Sequence, residues 1–285
     1  MCRLFALHAG QNDVAVDFWL LEAPDSLAKQ SEINADGFGI ASLTTDKELM
    51  LIKKPVEAAT DATFRRAAKH LEAAEMIVHL RFASNGGKEI ANTHPFVQDG
   101  RIFAHNGIMG DTDRIDTELG EDRAMITGDS DSERLFAVIT MAIRDADGDV
   151  RAGIRNAVNR LADDYELYAI NFVMAEQGEI WALRYPEKND LFVLEREAGG
   201  EGGDRELEGK SSDGNLRLRT GEATDLPLVI VASEKICEEP GWSEVKSGEL
   251  IHIGPDLKVD REMIIEHPPQ HQMVLKGHAE KTQTH

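Results

Sequence analysis

Positive charge is scarce in this chain. Its 285 residues carry 31 Lys and Arg against 52 Asp and Glu, a formal net charge of -21. A phosphate-neutralising surface is not expected, so nucleic acid is a poor partner class. Cysteine is scarce too: there are only two, Cys2 and Cys237. That count excludes a disulfide scaffold and suits a reducing cytosol, so a cytoplasmic location is expected. Long apolar runs are missing. The longest, such as Leu226 to Ala232, fall far below the ~20 residues of a membrane span. The opening Met1 to His8 breaks off too early to read as a secretory leader. No Gly-rich phosphate loop is present. The ten histidines are scattered and Cys237 has no partner at zinc spacing, so no metal and no cofactor are expected.

What remains is ordinary globular material, with 41% hydrophobic and 29% charged residues, enough for a sizeable core. Strands are predicted at Arg3 to His8, Gly37 to Ala41, Leu49 to Ile52, Met76 to Leu80 and Arg101 to His105. Helices are predicted at Val14 to Leu21, from an Asp61 N-cap to Ala74, at Ser132 to Asp145 and at Val150 to Leu161. Ser130 or Asp131 can cap the third. Strands return at Tyr168 to Ala175, Glu179 to Arg184, Leu191 to Leu194, Leu228 to Ser233 and Glu249 to Ile253. Residues 199–215, poor in large apolar side chains, read as a flexible acidic surface loop. Strands on both sides of a helical block predict layered α/β or α+β architecture.

Several residues could carry chemistry. Loss of Met1 would leave Cys2 with its own α-amino group, whose reference pKa of about 7.7–8.0 allows it to act as a base at neutral pH. One residue would then supply both nucleophile and base; the plainer reading is an incidental small residue. Arg81, at the end of a predicted strand, can present a bidentate fork to a carboxylate, or serve as a surface ion-pair partner. His94 in Asn92-Thr93-His94-Pro95-Phe96 is a candidate base or a structural hydrogen-bonding residue. Asn106-Gly107 reads either as a tight turn or as an oxyanion hole made of a side-chain amide and a backbone N–H. Asp131 can begin a helix or meet an ammonium.

In order along the chain, Cys2-Arg3-Leu4-Phe5, Asp36-Gly37-Phe38-Gly39, His79-Leu80-Arg81-Phe82-Ala83, Asn92-Thr93-His94-Pro95-Phe96, His105-Asn106-Gly107 and Ser130-Asp131-Ser132-Glu133 resemble the class II glutamine amidotransferases. The late Val231-Ala232-Ser233-Glu234 is also similar. Members of that family are N-terminal-nucleophile hydrolases. The resemblance implies an α+β fold, a four-layer αββα sandwich of two antiparallel sheets. It implies Cys2 as nucleophile, with Asn106 and Gly107 as the oxyanion hole. It further implies Arg81 for the substrate α-carboxylate and Asp131 for its α-ammonium, and His94 joins them as a substrate-binding candidate. The Arg-Gly-Tyr-Asp-Ser loop of amino-sugar and purine enzymes is replaced here by Ile33-Asn34-Ala35-Asp36-Gly37, without the arginine. Leu80, Phe82, Ser84 and Asn85 also depart from those enzymes. The chain is more similar to the small stand-alone subgroup that includes γ-glutamyl peptide hydrolases.

The expected function is therefore Cys-dependent hydrolysis of the side-chain amide of glutamine or of a γ-glutamyl compound through a thioester, releasing ammonia or an amine. The alternatives are a non-catalytic γ-glutamyl-binding module, or a glutaminase subunit serving a separate ammonia-accepting synthetase. An acylase for apolar acyl groups fits less well, because an apolar chain needs no zwitterion clamp. The expected partner is a small molecule, with no nucleic acid and no membrane. The expected organisation is one domain over residues 2–262, followed by a loose tail at 263–285.

Overall fold

Successive side chains of a strand point to opposite faces with a period of two, and the central strands here are buried along their whole length, so each offers two packing faces. In the computed structural model, which describes residues 1–83, 87–176, 178–199, 208–210, 217–219, 226–277 and 279–280, both faces are used. One sheet runs β15 (Trp242–Glu244), β11 (Phe192–Arg196), β14 (Leu228–Ala232), β1 (Arg3–His8), β6 (Glu75–Arg81), β3 (Gly37–Leu43) and β4 (Leu49–Lys54). The other runs β17 (Val259–Met263), β16 (Glu249–Ile253), β10 (Glu179–Arg184), β9 (Glu166–Glu176), β8 (Arg101–Met109) and β7 (Phe96–Gln98). Neighbours in both sequences of strands are antiparallel, and only β18 (His271–Gln272) joins β9 in parallel. Two short pairs stand apart: β2 (Val14–Ala15) with β5 (Glu72–Ala73), and β12 (Glu208–Lys210) with β13 (Arg217–Arg219).

Three apolar clusters define four layers. Phe5, Leu7, Ile40, Val78 and Ile230 pack outward from the first sheet onto Phe18, Trp19, Leu27 and Phe64. These come from the Phe18–Glu22 turn of helix, α1 (Leu27–Gln30) and α2 (Ala62–His70). Leu4, Ala6, Ile77 and Val231 meet Ile102, Ala104, Val173 and Ile251 between the sheets. Phe103, Ile170, Phe172 and Leu183 pack under Phe136, Ile139, Val158 and Leu161. Those four lie on α4 (Asp131–Asp145) and α5 (Val150–Asp164), which follow α3 (Thr112–Leu119). No helix of the described residues is long and apolar enough to cross a membrane.

Several predicted elements change. Val14 to Leu21 is not one helix: Val14–Ala15 pairs with Glu72–Ala73, and a short π-type turn covers Phe18–Glu22. The helix capped by Asp61 ends at His70 instead of Ala74, because residues 72–73 are taken up by that pairing. Asn106-Gly107 does not close a turn. β8 continues to Met109, with Asn106 opposite Asn171 and Gly107 opposite Ile170. Ser130, not Asp131, caps α4, accepting from the Glu133 N–H at 3.2 Å. The acidic loop expected at 199–215 lies, apart from Gly199 and β12, outside the described residues. The tail expected from 263 is held as far as Met273. Ile264 and Ile265 are buried, the Tyr185 hydroxyl donates to the His267 carbonyl at 3.0 Å, and the Met273 N–H donates to the Leu167 carbonyl at 2.9 Å.

Candidate active site

The same period of two decides where the reactive side chains sit. Leu4 and Ala6 face the layer between the sheets, so Cys2, one alternation earlier, falls on that face. By the same count His79 and Arg81 follow Ile77 on β6, and Asn106 follows Ile102 and Ala104 on β8. At this end of the interlayer the apolar filling gives way to a polar group drawn from both sheets.

Cys2 is buried, with 9% of its surface exposed. Its Sγ accepts from the Phe82 N–H at 3.3 Å and lies 3.4 Å from the Phe82 carbonyl, to which the thiol can donate. Its carbonyl accepts from the Asn106 side-chain amide at 3.0 Å. Burial pushes the Cys2 thiol pKa up. The Phe82 N–H, the terminal amine, Arg81 and Arg3 work in the opposite direction. Burial lowers the Met1 amine to about 6, with Arg3 adding to it and the Cys2 thiol and Glu234 opposing it.

Arg81 is buried and one of its terminal nitrogens donates to the Gly87 carbonyl at 2.8 Å. Burial lowers its pKa, while the nearby acidic groups Cys2, Asp36 and Asp131 favour the guanidinium. One cation therefore lies within electrostatic reach of the thiol and of two carboxylates. Asp131 is fixed from two sides. Its Oδ2 accepts from the Met109 N–H at 2.8 Å, and its Oδ1 accepts from the Ser132 hydroxyl at 3.4 Å. That hydroxyl is also 2.9 Å from His105 Nδ1. β8 thus carries the candidate oxyanion residues Asn106 and Gly107 and, two residues on, the N–H that orients Asp131.

Gly107 has a steric reason to be glycine. A Cβ there would come within 1.8 Å of the Ala169 carbonyl oxygen on β9. Gly39 is similar, since its Cβ would meet the His94 carbonyl oxygen at 1.9 Å. The His94–Pro95 backbone therefore packs directly against β3.

His94 itself sits in a stack. Its ring is 4.1 Å from that of His79 and 4.6 Å from that of Phe96, centroid to centroid. Burial holds it well below the ordinary histidine range, helped by His79, His105, Arg81 and Lys53. Burial likewise takes His79 down to about 3, with Arg81 and His105 adding to it. Neither ring nitrogen of His94 has a hydrogen-bond partner among the described residues. Burial thus favours the neutral form of His94, whose ring packs between those of His79 and Phe96.

Two features of the site were not singled out from the sequence. One is the Phe82 backbone, which brackets Sγ; a main-chain donor has no residue signature. The other is Asp36, which accepts from the Ala83 N–H at 2.8 Å and pairs with Lys88. Burial opposes its charge, but Lys88, the Ala83 N–H and Arg81 prevail and lower its pKa. Asp36 thereby ties together both ends of the segment that follows Arg81. Its place in Asp36-Gly37-Phe38-Gly39 was the available signal. No group of three or more potential ligands among the described residues could hold a metal ion.

The arrangement offers a thiol, a neighbouring amine, a carboxamide donor, a guanidinium and an oriented carboxylate. Comparison with known proteins agrees with that chemistry. The family model for class-II glutamine amidotransferases matches residues 1–271. Over 133 residues the chain is 29% identical to a glutamine–fructose-6-phosphate aminotransferase (isomerizing) of Idiomarina loihiensis, covering 46% of this chain and 21% of that protein. The chain thus matches only about a fifth of such relatives' length. It is 23% identical to the protein named "Probable glutamine amidotransferase DUG3" of Saccharomyces cerevisiae, covering 94% of this chain and 84% of that one. A solved class-II glutamine aminotransferase domain protein of Silicibacter pomeroyi superposes with a TM-score of 0.60 at 17% identity, covering 93% of this chain and 100% of that one. The fold is that of the N-terminal-nucleophile hydrolases, with the expected two antiparallel sheets between helical layers. The chain belongs to the class II glutamine amidotransferases.

Proposed function

We propose that the protein hydrolyses the side-chain amide of glutamine or of a γ-glutamyl compound, with Cys2 as an N-terminal nucleophile exposed by removal of Met1. The observation that carries this reading is the buried Arg81, which lies within electrostatic reach of both the Cys2 thiol and Asp131. A γ-glutamyl group presents one α-carboxylate and one α-ammonium, and one cation and one anion are what is needed to read them.

The steps follow from the residues. Arg81 takes the α-carboxylate and Asp131 the α-ammonium, which sets the side-chain amide against Sγ. The thiol passes its proton to the Cys2 α-amine as sulfur bonds to the amide carbon. Negative charge grows on the amide oxygen, facing the Asn106 side-chain amide and the Gly107 N–H. The tetrahedral species collapses, the ammonium returns its proton to the departing nitrogen, and ammonia or an amine leaves. Water then attacks the thioester, with the same amine accepting its proton. Glutamate departs as the amine returns that proton to sulfur, and the thiol is restored.

Two further points belong to this reading. Cys2 and Cys237 are both free thiols, which supports a reducing cytosol as the working compartment. The released nitrogen either goes to a separate acceptor enzyme or leaves as free product. The test is a coupled assay for glutamate release from glutamine and from a panel of γ-glutamyl amides. Wild-type turnover with at least one of them, and its loss in Cys2→Ala with an unchanged melting temperature, is the expected result. Turnover by Cys2→Ala equal to wild type would overturn the reading.

A further inference from the structure

The similar late segment Val231-Ala232-Ser233-Glu234 has no part in the steps above, yet its end lies against the first residues of the chain. The Leu4 N–H donates to the Ser233 hydroxyl at 3.0 Å, and the Ser233 N–H donates to the Leu4 carbonyl at 3.0 Å. One residue further on, the Glu234 carboxylate forms an ion pair with the Arg3 guanidinium. The Arg3 side chain is 7% exposed, so this cation is taken out of water and needs its partner. A second Arg3 nitrogen donates to the Met1 carbonyl at 2.9 Å. Arg3 thus holds the residue that must be removed, and Glu234 acts through its charge on the terminal amine.

We propose that Arg3 and Glu234 are a positioning pair that seats the amino-terminal residue and brackets its α-amine with one cation and one anion. This inference rests on the N-terminal-nucleophile reading given above. Once Met1 is gone, the Arg3 nitrogen that held its carbonyl turns to the new terminus. The groups that act on the amine while it is still on Met1 are the Cys2 thiol, Arg3 and Glu234, with Arg81 acting on the thiol from β6, and the new amine arises one residue further into the same surroundings. The cation disfavours an ammonium and the anion favours it. Burial is the largest influence on the terminal amine, and the pair adds beside it a cation and an anion of opposing effect.

The two charges carry opposite signs, so their removal has opposite consequences. The acid limb of kcat/KM reports the first deprotonation of the coupled amine and thiol. Both groups lose a proton more readily when a nearby anion is removed, and less readily when a nearby cation is removed. Glu234→Gln is expected to move the acid limb down by about half a pH unit, and Arg3→Gln to move it up by a similar amount. A purely structural pair would lower activity in both variants without moving the limb in opposite senses.

The experiment is a pH–rate profile of wild type, Arg3→Gln and Glu234→Gln on whichever γ-glutamyl amide wild type turns over. Melting temperature and the mass of the amino-terminal peptide are measured alongside. Wild type lacking Met1 and labelled on Cys2 by a glutamine-like electrophile upholds the underlying reading independently of the pair. Opposite shifts then support the proposal, and unmoved or parallel limbs overturn it. Should Arg3→Gln not fold, Glu234→Gln decides alone: a downward shift supports the pair, and no shift or an upward one overturns it.

Discussion

The Asn106 side-chain amide donates to the Cys2 carbonyl at 3.0 Å, a bond between residues 104 positions apart in sequence and on different sheets. Asn106 is fully buried. It therefore both anchors the nucleophile's main chain and offers the amide proposed for the oxyanion. Asn106→Ala is expected to lose about 10²–10³ in kcat, the scale of one oxyanion donor. It should also lose about 1–3 kcal/mol of stability, because a buried carbonyl is left unpaired. Steady-state kinetics and thermal unfolding measure the two separately, and an intact kcat would remove Asn106 from the chemistry.

Asp131 allows binding to be separated from chemistry. In Asp131→Asn a side-chain oxygen can still accept from the Met109 N–H, so the local geometry has a substitute for the bond seen at 2.8 Å. The charge is gone. A charge-assisted contact contributes about 1.5–3 kcal/mol, so KM for glutamine or a γ-glutamyl amide should rise roughly 10- to 100-fold, with a smaller change in kcat. A fall in kcat at constant KM would assign Asp131 a different role.

Gly107 should tolerate no side chain. In Gly107→Ala the added Cβ would meet the backbone oxygen of Ala169 at 1.8 Å, and a carbonyl on a neighbouring strand cannot swing aside. A loss of about 3 kcal/mol or more is expected, together with loss of activity. The check is chemical denaturation, where a wild-type midpoint would show that β8 and β9 yield more easily than their pairing suggests.

Glu75 lies at the other end of β6 and gives a pH dependence unrelated to catalysis. Its Oε2 is buried without a partner among the described residues. Burial raises its pKa from 4.5 to about 7, against the pull of Lys47 and the Gly178 N–H and with support from Glu179. The folded form therefore binds the proton more tightly than the unfolded chain. This group's contribution to stability falls as pH rises from about 4.5 to about 7 and is level above that. Glu75→Gln should stabilise the protein by up to about 2–3 kcal/mol at pH 8 and change little at pH 4. Denaturant midpoints at the two pH values test it, and an equal effect at both would contradict the assignment.

Much of this fold could be read from the sequence, because the information is local. The short apolar runs in Arg3 to His8 and Glu249 to Ile253 mark strands wherever they pair. The stripe of Leu135, Val138, Ile139, Ala142 and Ile143 marks a helix on its own. Errors fell where partners far along the chain decide. Val14–Ala15 became extended by pairing with Glu72–Ala73, which also shortened the helix before it. Asn106-Gly107 carries a turn signature, but eleven-residue β9 pairs straight through it. Among the candidate site residues, Cys2, Arg81, Asn106, Gly107 and Asp131 are proposed from ordered short motifs. The Phe82 N–H and the Arg3–Glu234 pair could not, since one is backbone and the other joins residues brought together only by β1 pairing with β14.

The central claim is that Cys2 becomes an N-terminal nucleophile read by glutamine-like ligands. Its most direct test is mass spectrometry of the intact chain and its amino-terminal peptide after reaction with a diazo-ketone analogue of glutamine. The account predicts loss of Met1 and one adduct per chain on Cys2, suppressed by excess glutamine or by the γ-glutamyl amide that is turned over. Retained Met1 with an unlabelled Cys2 would contradict it.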